Sequence, residues 1–137
     1  QLGAVPRGAG HDADAPLTVP EYEDLLGTPF VMFGRDEARD GGISCQGLVL
    51  EMYRRAGIDA PDPCDDPDAD LCWDVAEGPP RPMDVIGLRV GSSDLAGHVA
   101  LVMEGGEVLH ATKDRGVVLT TVARLAHRIV VVYRWRR

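Results

Sequence analysis

The second half of the chain narrows the folds open to it more than any other feature. Asp84–Arg89, His98–Met103, Glu107–Ala111, Val117–Thr121 and Ile129–Trp135 are short, rich in β-branched residues, and parted by turns that contain Gly or Asp. Glu104-Gly-Gly-Glu107 and Lys113-Asp-Arg-Gly116 carry hairpin signals. A run of this kind predicts an antiparallel meander, and whatever precedes it must pack on that sheet.

What precedes it reads as helical. Leu48, Val49, Met52, Tyr53 and Ala56 fall on one stripe of a helix predicted over Ser44–Ala56, with Arg54 and Arg55 near its end and Gly57 as its stop. Gly41-Gly42 leads into it. A shorter helix is expected over Thr18–Gly27, capped by Thr18, with Pro20 in its first turn and Gly27 ending it. Residues 59–82 are rich in Pro and Asp and predict an irregular surface loop with Trp73 turned inward. Residues 1–17, rich in Gly, Ala, Pro and Asp, read as an arm or linker, and 18–137 as one domain. Helices followed by an antiparallel sheet make the fold class α+β, with the helices on one face.

Composition excludes some functions. A length of 137 residues suits one domain, and 45% hydrophobic residues can fill its core. No apolar run approaches the roughly 18–20 residues that span a bilayer. A net charge of −8 disfavours nucleic acid as a partner. Arg134, Arg136 and Arg137 read as a solvated C-terminal tail. The chain begins at Gln1 and reads as a processed or trimmed form. Cys64 and Cys72 flank an acidic loop and can be oxidised to a pair or remain as thiols, while Cys45 stands apart.

Cys45 falls in the first turn of the main predicted helix, where unpaired N–H groups and the helix dipole stabilise a thiolate. Alone, it reads equally as an inert buried thiol. His98 and His110 give it partners: one opens a predicted strand and the other closes the next, so one imidazole can serve as base and the other can orient it. Two registers are open. A two-residue Gly105-Gly106 loop pairs Leu101 with His110 and puts the imidazoles on opposite faces. A three-residue loop with a bulge shifts the pairing by one and puts them on the same face. A cooperating pair requires the second.

Four segments carry a resemblance. They are Gly-Thr-Pro-Phe-Val-Met-Phe-Gly-Arg-Asp (27–36), Gly-Ile-Ser-Cys-Gln-Gly-Leu-Val (42–49), Asp84-Val-Ile, and Gly-His-Val-Ala-Leu-Val-Met-Glu-Gly-Gly-Glu-Val-Leu-His-Ala (97–111). Together they resemble the NlpC/P60 family of papain-like cysteine peptidases, which cleave peptidoglycan stem peptides as cell-wall hydrolases and phage-tail components. The resemblance implies N-terminal helices on a five- to six-stranded antiparallel sheet. It also implies Cys45 as nucleophile, His98 as general base, His110 as the residue orienting it, and Phe30, Ser44 and Gln46 near the substrate. The family usually has Tyr at Phe30, Gly at Phe33, Asp at Ser44 and Ser or Gly at Gln46, so the departures cluster around the thiol. The expected partner is a peptidoglycan peptide in an extracellular, periplasmic or virion-associated setting. The alternative is a weak or silent member of the fold serving in a phage tail or secretion machine through its N-terminal arm.

No cofactor and no metal is expected. Asp66-Pro-Asp68-Ala-Asp70 alternates acids like a calcium loop but lacks the Gly and distal Glu of an EF-hand. The spacing of Cys64 and Cys72 is wide of the usual short zinc pair.

Overall fold

A computed structural model of the protein describes residues 17–136. The expected arm lies outside the described residues except for Leu17, which packs against the core. The predicted main helix forms as α2, Cys45–Arg55, after a short α1, Glu37–Asp40. Ser44 stays extended and its side chain accepts the Gly47 N–H, which makes it the N-cap. Leu48, Val49, Met52 and Tyr53 are buried along the stripe that their spacing anticipates.

The helix expected over Thr18–Gly27 does not form beyond a 3-10 turn at Glu23–Leu25. Leu17, just before it, and Val19, within it, are two apart and both pack on the core, which is the period of an extended chain. Pro20 lacks an N–H to donate and biases the residue before it away from the helical region.

Six strands form one antiparallel sheet: β1 (Trp73–Val75), β2 (Val85–Arg89), β3 (Ala96–Val102), β4 (Glu107–Thr112), β5 (Gly116–Thr121) and β6 (Ile129–Trp135). Their order is β1-β6-β2-β3-β4-β5, so the chain is a meander from β2 to β5 and then returns β6 to the far side of β2. β1 arises within the segment expected to be irregular. Trp73 explains it: its ring packs edge-on against Tyr53 and Trp135, with centroids 5.1 Å from each, and this draws the strand onto β6.

The architecture is α+β, an open six-stranded sheet with cores on both faces. One core joins α2 to Val85, Leu101, Met103, Leu109, Ala111 and Val117. The other gathers Ile86, Leu88, Ala100, Val102, Val108 and Val132 under Leu125 of a short α3, Val122–Leu125. The expectation of helices on one face therefore gives way to two unequal layers, because β2 is buried on both sides. Among the described residues no helix is long and apolar enough to cross a membrane.

Arg134 is not part of a solvated tail. It lies in β6 and grips the buried Asp84 with two bonds, Nε–Oδ1 at 3.0 Å and a terminal nitrogen to Oδ2 at 2.8 Å. Asp84 also accepts the Arg81 N–H at 2.8 Å, which fixes the turn into β2. Removing its carboxylate strands both donors. Asp84→Ala is predicted to cost on the order of 3 kcal/mol in urea unfolding, whereas Asp74→Ala, on the exposed Arg136 pair, should leave the unfolding midpoint nearly unchanged.

Candidate active site

The start of α2 is tied to one end of the sheet. The Gly27 N–H donates to the Val117 carbonyl at 2.9 Å, and the Val117 N–H donates to Thr28 at 3.0 Å. The following residues form a parallel bridge between Phe30 and Ile43. Thus β5 begins beside the segment that delivers Cys45. Cys45 lies three and four residues before Leu48 and Val49, so it continues the stripe directed at the sheet, and it is half-buried. As the first residue of the helix, its N–H has no intrahelical acceptor.

At this end of the sheet β3 and β4 part. Their ladder pairs Val102 with Val108 and Leu101 with Leu109, and goes no further. The connection is a three-residue 3-10 turn, Glu104–Gly106, with φ of +66° at Gly105 and +78° at Gly106, values that glycine adopts without strain. This is the register that places both histidines on one face. The His98 Nε2 and His110 Nδ1 atoms lie 3.2 Å apart across the parting, with the rings edge to face. Their face is that of Leu88, Ala100 and Val108, the side of the sheet away from the α2 stripe.

Burial pushes His98 down to about 4, with His110 and Arg128 adding to the effect. His110 is also lowered, by burial first and then by Arg128 and Arg115. Both imidazoles are therefore neutral near pH 7. One must donate and the other accept in their shared bond.

Sequence reading missed the residue with the most contacts at the start of the helix. Arg35 donates through Nε and a terminal nitrogen to both oxygens of Asp62, at 2.6 and 3.1 Å. It also donates to Ser44 Oγ at 2.7 Å and Gln46 Oε1 at 3.4 Å, and its terminal nitrogen lies 3.2 Å from the exposed Cys64 Sγ. The guanidinium thus bridges the residues on either side of Cys45 and pins the Asp-rich loop to them. Arg35 lies within a segment that carries the resemblance, but its partner is 27 residues away in a stretch with no periodicity. No local signal joins the two.

The structure brings His98 and His110 together, and Cys45 makes no hydrogen bond to either. Phe30 packs against the α2 core. Ser44 is buried with its hydroxyl fully used: it donates to Gly34 O at 3.0 Å and accepts from Gly47 N and Arg35. Gln46 is half-buried and faces Arg35. Cys64 and Cys72 are both free thiols. Among the described residues no three His, Cys, Asp or Glu side chains gather in a way that could hold a metal ion.

Comparison with protein-family models finds no match, and comparison with curated protein sequences finds none either. Solved structures do match. The NlpC/P60 domain of the peptidoglycan hydrolase SagA superposes with a TM-score of 0.56 at 22% identity, covering 81% of this chain and 90% of that one. An NLP/P60-family lipoprotein-like protein of Staphylococcus aureus gives 0.59 at 20%, covering 83% of this chain and 38% of the other. An NlpC/P60 protein of Bacillus cereus gives 0.61 at 21%, covering 88% and 42%. The chain therefore has the NlpC/P60 fold. It spans about two fifths of the length of the latter two proteins.

Two outcomes are predicted. An unfolded imidazole takes up its proton near pH 6.5, while native His98 resists until about 4. Stability should therefore fall as pH drops through that window and level off below it. Melting temperature against pH measures this, and His98→Gln should flatten the slope. The carboxylates of Asp24 and Asp62, held low by Arg55 and Arg35, act further down. Separately, a Cβ on Gly47 would overlap the Gly34 carbonyl oxygen. Gly47→Ala is predicted to cost about 1–3 kcal/mol in denaturant titration.

Proposed function

We propose that the chain is a cysteine amidase or peptidase acting on peptidoglycan stem peptides outside the cytoplasmic membrane, with Cys45 as nucleophile, His98 as general base and His110 orienting it. The observation that carries this reading is the hydrogen-bonded histidine pair at the end of the sheet where α2 begins with a cysteine. The fold shared with the NlpC/P60 domain of a peptidoglycan hydrolase supports the substrate class.

The histidine bond bears on the tautomers. If His98 Nε2–H donates to His110 Nδ1, then His98 Nδ1 carries a lone pair and His110 holds its proton on Nε2. Nδ1 then takes the Sγ proton as Sγ attacks the amide carbonyl, and the Cys45 N–H meets the oxyanion. The protonated imidazole gives that proton to the leaving amine as the C–N bond breaks, which leaves a thioester. Water, deprotonated by His98, adds to the thioester, and collapse releases the acid and the thiol. Proton transfer requires a Sγ–Nδ1 hydrogen bond, which the resting arrangement does not make because the imidazoles lie on the face of the sheet away from the α2 stripe; the reading requires this end of the sheet to rearrange when substrate binds.

A second reading, a fold retained without turnover in a phage tail or secretion assembly, draws on one observation. Arg35 occupies Ser44 and Gln46, the flanks of the thiol. One experiment separates the two. In a Cys64→Ser/Cys72→Ser background, iodoacetamide should alkylate Cys45 at pH 7 at least about tenfold faster than in the same protein carrying His98→Ala. Digestion of purified peptidoglycan should release new amino termini, and Cys45→Ala should abolish the release. Equal alkylation rates together with no release would leave the second reading.

A further inference from the structure

Among the described residues the backbone enters the left-handed region at eight glycines and at two other residues, Phe33 (φ +63°) and Met83 (φ +72°). A bulky side chain is strained there. For Met83 the fold offsets the strain. It is 1% exposed in the core under α2, its N–H donates to the Val102 carbonyl at 2.7 Å, and its own carbonyl accepts the Tyr53 hydroxyl. Phe33 has no such return: it is 69% exposed, and Met32 beside it is 57% exposed.

The turn that carries Phe33 does not call for an aromatic residue. The Gly34 N–H donates to the Val31 carbonyl at 2.8 Å, which closes a turn over 31–34 with Phe33 as its third residue. A positive φ at that position is supplied by Gly or Asn with little strain. The place of the turn matters more. Gly34 accepts both the N–H and the hydroxyl of Ser44, at 2.9 and 3.0 Å. Phe33 immediately precedes Gly34 and Cys45 immediately follows Ser44, so this junction sets the exposed aromatic residue beside the candidate nucleophile.

We infer that Met32 and Phe33 form a sugar-binding subsite, on which a pyranose ring of the glycan strand stacks while the attached peptide reaches Cys45. This inference rests on the amidase reading and adds a second part of the polymer to what that site recognises. A ring this exposed cannot enclose an apolar side chain. It can meet one face of a pyranose, whose C–H bonds point toward the negative face of the aromatic ring while the hydroxyls stay in water. The N-acetyl methyl group offers Met32 an apolar contact. A lipid surface suits the tip less: two side chains bury little area, and anionic headgroups repel a chain of net charge −8.

The test measures binding to Cys45→Ala protein, where turnover cannot intervene. The probes are N-acetyl-L-Ala-γ-D-Glu-L-Lys and the same peptide with N-acetylmuramic acid, joined through its lactyl carboxyl, in place of the acetyl group. The muramyl peptide should bind about fivefold more tightly or better, and its sugar C–H protons should shift upfield in the NMR spectrum under the aromatic ring current. Phe33→Gly should erase both the preference and the upfield shift, while Phe33→Trp keeps them. Because it relieves the turn, Phe33→Gly should also raise the melting temperature by about 2–4 °C, so that lost binding is not lost folding. Equal binding of the two peptides, or a preference that survives in Phe33→Gly, would overturn the subsite and leave the amidase reading intact. Phe33-dependent binding to phosphatidylglycerol vesicles without a sugar preference would overturn it too, and assign the tip to a lipid surface. Binding of neither peptide would overturn both the subsite and the amidase reading.

Discussion

Docking of residues 31–35 on the first turn of α2 is the constraint on which the candidate site depends. The Ser44 N–H and hydroxyl both donate to Gly34 O, and Gly47 has no side chain to hold that carbonyl away. Arg35 then reaches from this junction to Asp62, closing the loop over the helix start. A guanidinium suits the task because its planar fork meets a carboxylate and still has a donor for a hydroxyl. Two glycines and one ion pair thus decide where the helix begins, and with it where the cysteine stands.

Much of this was legible in the sequence and some could not have been. The α2 stripe, the inward Trp73 and five strands follow from local periodicity and turn chemistry, which need no knowledge of distant contacts. The histidine register was legible only as a choice between two loops, because a one-residue slip moves every side chain to the other face. The Arg35–Asp62 pair, the return of β6 between β1 and β2, and the recruitment of Arg134 by Asp84 are long-range events. No pattern within a short window encodes them. Thr18–Gly27 failed for a different reason: good cap and stop residues surrounded a segment whose apolar spacing suited an extended chain.

The electrostatics of the two faces are distinct. On the α2 side, the cation near Cys45 is already neutralised by a carboxylate. On the histidine side, Arg115 and Arg128 have no carboxylate partner among the described residues, and the imidazoles are kept uncharged.

The aromatic cluster at the other end of α2 determines what optical measurements can see. The chain has two tryptophans, Trp73 and Trp135, and they stack on each other and on Tyr53. Both lie where β1 joins β6, at the opposite edge of the sheet from β5 and its tie to the helix start. Intrinsic fluorescence therefore reports detachment of that edge strand and is nearly blind to events at the thiol. A fluorophore placed near the histidines is needed to watch ligand arrive, and an unchanged tryptophan spectrum says nothing about whether it has.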